Sequence, residues 1–176
     1  MKRLWIILTL ILLATVLKTI AEPSPQSANL NALYRWIGTW KSHINVKPAA
    51  WSLQPQKLSG TSKSVPILGG HFQQTYSRTS KHETREIHRH DAKSNQYHKW
   101  IFNSNGDTSF WTGTWDKKSS TMTWKYVDFG GGIKGSIVDR FINDGNYQST
   151  LFLKDRTGNV LLDVETEHVR NKSQTE

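Results

Sequence analysis

The chain of 176 residues contains no cysteine. That excludes a disulfide framework, a lipid-bearing cysteine and every form of thiol chemistry. Also missing are a Gly-x-Ser-x-Gly elbow, a His-Glu-x-x-His pair and a phosphate-cradling glycine loop. The one glycine run, Gly130-Gly131-Gly132, lacks the Lys-Ser/Thr ending of such a loop and lies between strand-like segments, so it reads as a turn. No catalytic residue is assigned, and the expectation is a protein that is not an enzyme. No segment holds a sustained 3.6-residue apolar period, which leaves little room for long amphipathic helices.

The longest apolar run, residues 4–17, follows Lys2 and Arg3 and ends in Lys18-Thr19-Ile20-Ala21, with small residues at the offsets of a cleavage site. It reads as a secretory signal peptide over residues 1–21, too short to span a bilayer comfortably if retained. The expected product is exported, periplasmic or extracellular, with no stable membrane insertion. Removing that segment takes Lys2, Arg3 and Lys18 and no acid, so the formal charge falls from +9 to +6. The remaining basic residues are interspersed with Glu83, Glu86, Asp91 and Asp107, and nucleic acid is not an expected partner of an exported domain. Residues 22–32 read as a flexible lead-in, 33–170 as one domain and 171–176 as a disordered tail.

What the chain does have is period-2 alternation between turn residues, the pattern of an all-β protein. Ten strands are expected at residues 38–46, 58–65, 72–79, 85–90, 96–103, 109–115, 121–129, 134–142, 147–154 and 160–170, with a short helix near 28–36. In the hairpin of Trp111, Gly113 and Trp115 with Met122, Trp124 and Tyr126, Trp115 opposes Met122, Trp124 lies over Gly113 and Trp111 faces Tyr126. The glycine leaves room for the indole opposite. Consecutive strands joined by short turns pair antiparallel, and a meander of this length avoids exposed edges by closing into an up-and-down barrel, with a two-sheet sandwich as the alternative.

Asn105-Gly106 and Asp144-Gly145 carry type I′ turn signals, and Thr157-Gly158-Asn159 marks a further turn. A two-residue Asp144-Gly145 turn pairs Ile142 with Tyr147, Arg140 with Ser149 and Val138 with Leu151. A two-residue Thr157-Gly158 turn pairs Leu153 with Leu162, Leu151 with Val164, Ser149 with Thr166 and Tyr147 with His168. Together they direct Arg140, Tyr147 and His168 inward beside leucines and valines. A guanidinium there would anchor a ligand anion; the alternative puts Arg140 outside and Phe141 inside. Trp111, Trp124 and Tyr126 complete the expected ligand wall, for a small apolar or amphiphilic ligand that could be anionic. No cofactor is expected; His168 as an axial haem ligand is the alternative. His88, His90 and His98 are the candidate metal cluster, but Arg85, Arg89 and Lys99 crowd the same hairpin, so a solvated outer face is the expected setting and no metal is assigned. A third alternative is a filled barrel acting as an interaction module through the basic hairpin from Arg78 to Lys99.

Gly38-Thr39-Trp40 resembles the N-terminal Gly-x-Trp feature of calycins, the superfamily of lipocalins and fatty-acid-binding proteins. That resemblance implies a basic residue of the last strand, here Arg170, covering Trp40 at the closed end of a barrel. Gly69-Gly70-His71-Phe72, Asp91 with Tyr97, Ser104-Asn105-Gly106, Gly113-Thr114-Trp115-Asp116 and Arg140-Phe141 further resemble a bacterial family of exported domains of unknown function. His90 departs from the aromatic that this family carries before the position of Asp91. The family implies a calycin-like barrel and brings no activity, substrate or catalytic residue.

Overall fold

The protein, represented by a computed structural model, is described over residues 25–171. The expected signal segment and residues 172–176 of the expected tail lie outside the described residues. A helix, α1 (Pro25–Tyr34), begins within the expected lead-in. It is followed by ten strands: β1 (Gly38–Val46), β2 (Gln56–Ile67), β3 (Phe72–Thr79), β4 (Glu83–Asp91), β5 (Gln96–Asn103), β6 (Thr108–Asp116), β7 (Thr121–Tyr126), β8 (Lys134–Asn143), β9 (Asn146–Lys154) and β10 (Val160–Arg170). Each pairs antiparallel with the next, and β10 returns to β1 to close the barrel. Closure gives every strand a hydrogen-bonded neighbour on both sides. Among the described residues no helix is long and apolar enough to cross a membrane.

The β6–β7 hairpin has the expected register, with Trp111 opposite Tyr126, Gly113 opposite Trp124 and Trp115 opposite Met122. A Cβ on Gly113 would lie 2.5 Å from Cε3 of Trp124, so only glycine admits the indole. Met122 and Trp124 are buried at 0% and 1% exposure and set the inward phase of this side of the barrel.

One end is closed by the peptide that joins α1 to β1. Ala32, Leu33 and Trp36 are buried under it, whereas Tyr34 is exposed. Trp40 is completely buried, donates its indole N–H to the Trp36 carbonyl at 2.7 Å, and lies 4.2 Å beneath the Arg170 guanidinium. Arg170 also donates to the carbonyls of Asp144 (2.8 Å), Arg35 (3.0 Å) and Ile37. It thereby ties the last strand to the helix exit and satisfies backbone oxygens that α1 leaves open. The expected Trp40–Arg170 pair therefore forms. Gly38, at φ 122°, turns the chain into β1 where a Cβ would meet the guanidinium.

Two turns depart from expectation. A type I′ turn needs positive φ at both central residues, but Asp144 and Gly145 have neither, and at Asn105-Gly106 only the glycine does. Such turns splay twisted strands unless the ladder adjusts nearby. After Asp144-Gly145 it adjusts at once: Asn143 pairs with Asn146, yet Phe141 pairs with Tyr147. The one-residue slip at Ile142 reverses the faces of β8, because the side-chain period of a strand is 2. Phe141, Asp139 and Ile137 point inward, opposite Tyr147, Ser149 and Leu151. Arg140 points outward and is exposed, so the expected inward anchor is corrected. At the β9–β10 turn a slip between Val160 and Leu162 has the opposite outcome, restoring Leu153–Leu162, Leu151–Val164, Ser149–Thr166 and Tyr147–His168 as expected.

Candidate functional site

The lumen holds a cavity of about 270 Å³ above the aromatic floor made by Trp36, Tyr147 and His168. Ile101, Ile137, Leu151 and Val164 supply an apolar wall, and Ser62, Thr75, Ser77 and Thr84 face it with hydroxyls. Three charged side chains line the space: Glu86 from β4, Lys99 from β5 and Asp139 from β8. A larger concavity of about 650 Å³ spans β2, β1, β10 and β9, but the outward-facing His43, Asn45, Lys57, Glu165 and Glu167 dominate its lining, and it reads as barrel surface.

Strand alternation explains how the charges come together. Trp111 points inward and is paired with Lys99 of β5, so Lys99 points inward too; its β4 partner is His88, next but one to Glu86. Lys99, 5% exposed, sits 3.5 Å from Glu86 and 3.8 Å from Asp139, and 4.4 Å over the Trp124 ring. Asp139, 2% exposed, accepts from the Trp124 indole at 2.9 Å and the Ser149 hydroxyl at 2.6 Å. Glu86 is hydrogen-bonded to His88 Nε2 at 3.0 Å. Burial would raise the Glu86 carboxyl, but the charge of Lys99 and the His88 hydrogen bond override it and hold the group at about 2. Burial lowers His88, so this histidine is neutral and donates from Nε2.

On the floor, the His168 ring lies flat on Tyr147, 4.0 Å between centroids and 5° between planes, with Nδ1 hydrogen-bonded to Ser42 at 2.8 Å. Burial pushes His168 down to about 4 despite the carboxylates of Asp139 and Glu86. Burial also pushes the Tyr147 hydroxyl well above its usual range, with Asp139 and Glu86 adding to the rise. Both groups are uncharged at neutral pH. Below the cavity the amide of Gln73, 2% exposed, and the Nδ1 atoms of His88 and His90 are buried without a hydrogen-bond partner among the described residues.

Of the expected site residues, Tyr147 and His168 line the cavity. Trp111, Trp124 and Tyr126 have the expected inward phase but pack behind it: Trp111 meets Tyr126 edge-on at 5.1 Å, and Trp124 reaches the space through Lys99 and Asp139. The histidine cluster is split by the pleat. His88 and His90 are buried inside, contrary to the solvated outer face expected of them, while His98 stands on the outer face against Trp100 and Phe110. Sequence reading missed Glu86, Lys99 and Asp139 as a group. The phase of Trp111 was the available signal, since it fixes Lys99 once β5 and β6 are in register.

These features define a class: a closed ten-stranded up-and-down barrel with a part-polar lumenal cavity. No protein-family model and no curated protein sequence matches the chain. Among solved structures it is similar to the crystal structure of Rv2717c from M. tuberculosis, with a TM-score of 0.64 and 12% identity over 86% of this chain and 100% of that one. It is also similar to the S-type phycobiliprotein lyase CPES from Guillardia theta, with a TM-score of 0.52 and 11% identity over 86% and 100% of the two chains. A protein of unknown function from the DUF3598 family of Nostoc punctiforme gives a TM-score of 0.49 and 10% identity, over 81% of this chain and 49% of that one. At such identities the likeness shows the fold.

Proposed function

We propose that the protein is an exported, non-enzymatic carrier or sensor that takes a small amphiphilic molecule into its lumen. The observation that carries this reading is the cavity of about 270 Å³ lined by aliphatic side chains together with hydroxyl and charged groups. Its volume lies at the lower edge of the roughly 300–1,000 Å³ range of small-molecule pockets, which favours a compact ligand. The neighbouring lyase, named for phycobiliproteins, supports the reading only in that the same fold serves a protein of small-molecule chemistry. The direct test is quenching of tryptophan fluorescence by short-chain amphiphiles, because Trp36 lines the floor. Saturable quenching, abolished by Leu151→Trp, is expected; absence of saturation and of any thermal shift would refute the reading.

A haem-binding barrel is supported by one observation, the position of His168. Its Nδ1 is oriented by Ser42, as second partners orient metal-binding imidazoles. The donor suits iron, but a porphyrin exceeds a drug-sized molecule and does not fit a lumen of about 270 Å³. A Soret band on reconstitution, lost in His168→Ala, would reverse that preference.

A further inference from the structure

We infer that the ligand carries a protonated amine, seated between Glu86 and Asp139 with its apolar part against Ile101, Ile137 and Leu151. This rests on the lumenal ligand-binding reading and names the chemistry of its head group. The cavity is lined by two carboxylates and one ammonium, so its charge balance is one cation short. Buried charge is retained in proteins where it is paired, and Lys99 alone is shared between both acids at 3.5 and 3.8 Å. Histidine does not supply the missing charge, because burial lowers both His88 and His168. No arginine lines the space, so the planar fork that recognises carboxylate and phosphate is absent from it.

The remaining polar lining is consistent with a donor-rich guest. An ammonium brings three N–H donors and no acceptor, and hydroxyls such as Ser77 and Thr84 accept as readily as they donate. An incoming carboxylate would instead face Glu86 and Asp139 while competing with them for Lys99. The aliphatic side chains beside the acids, with Ile101 paired to Glu86 and Ile137 next but one to Asp139, together with the small volume, fit a short alkyl or aryl amine better than a polyamine, whose second charge would meet no carboxylate.

Hexylamine, 1-hexanol and hexanoate, matched in chain length, are titrated into the full-length mature protein at pH 7.5 and constant ionic strength, with affinity read by calorimetry. Hexylamine is expected to bind at least tenfold more tightly than hexanoate and more tightly than hexanol. Glu86→Gln should reduce the amine preference by tenfold or more. Thr84→Lys, which adds a cation to the lining and gives up only the half-buried hydrogen bond of the Thr84 hydroxyl to Asn103, should invert the order toward hexanoate, and it stands in should the Glu86 variant fail to fold. Binding of hexanoate or hexanol as tight as that of hexylamine overturns the amine assignment and leaves the binding reading intact. No binding by any of the three overturns both.

Discussion

The two sides of the lumen are held by different physics. On β6–β8, Trp111, Met122, Trp124, Ile137 and Phe141 are buried by volume, each filling space its neighbours leave. On β2–β5, Ser64, Gln73, Thr75, His88 and Lys99 are buried just as deeply, and there each group depends on a partner. Ser64 and Thr75 satisfy one another at 2.7 Å, and Lys99 holds its acids, but Gln73 and two histidine nitrogens are left unmatched. Buried, unmatched polar groups are destabilising, and ordered water is the usual remedy. A sheet selected only for stability would carry leucine at such positions. On the proposed function, the polar side is the part of the lumen that meets the ligand, and the tryptophan side is the scaffold that holds it.

Substitution at one residue from each side gives the largest contrast. Trp124→Ala removes the indole that covers Gly113, donates to Asp139 and underlies Lys99, and should destabilise by about 5 kcal/mol, the upper range for loss of a buried tryptophan. No polar substitution should restore it. Lys99→Met should cost about 4 kcal/mol by leaving Glu86 and Asp139 without their shared cation, as breaking a buried pair does. Adding Glu86→Gln and Asp139→Asn should return most of that loss, since neutral replacement of buried charges is often tolerated. Urea unfolding of the four proteins decides it. If the triple variant stays as unstable as Lys99→Met, the polar side is as structural as the tryptophan side and the contrast collapses.

Acid should act through the buried ionisable groups of the lumen. His168 has an ordinary value near 6.5 in the unfolded chain and is held at about 4 when folded. Between those values the unfolded chain binds a proton that the native one refuses. Stability is thus complete above about pH 6.5 and falls as pH drops toward 4, by about 3 kcal/mol if this group acted alone. Glu86, depressed to about 2, brings a second loss that begins only below about pH 4.5. In His168→Gln the first decline should shrink while the second persists, as read from urea midpoints between pH 7 and 2. Equal slopes in the two proteins would show that His168 is not kept neutral by burial.

Much of the scaffold is legible in the sequence because bulky residues declare their phase. Trp124 over Gly113 sets the β6–β7 register from residue type and spacing alone, and the resemblance to calycins implies the Trp40–Arg170 pair at the closed end. The recognition side is much less legible. Binary patterning assigns apolar residues inward, yet on β4 the outward Ile87 is flanked by inward Glu86 and His88. A polar lumen inverts the rule that strand reading relies on. Turn chemistry supplied the other limit: Asp144-Gly145 names a tight turn without revealing the slip at Ile142 that follows it, and that slip exchanged Arg140 for Asp139 in the lumen.

That exchange yields the smallest expected effect and the most direct check on the division of the lumen. Arg140 pairs with Gln148 and with Thr121 across neighbouring strands, on the solvent side of the barrel, and is exposed. Arg140→Ala should change stability by less than about 0.5 kcal/mol, as surface substitutions generally do, and leave the affinity for any lumenal amphiphile unaltered. Asp139→Ala, one residue away, removes the acceptor of Trp124 and Ser149 and should be felt in both measurements. Neighbours on one strand then differ by their face alone. Were Arg140→Ala instead to weaken binding while Asp139→Ala did not, β8 would be in the register its turn announces, with the guanidinium inside.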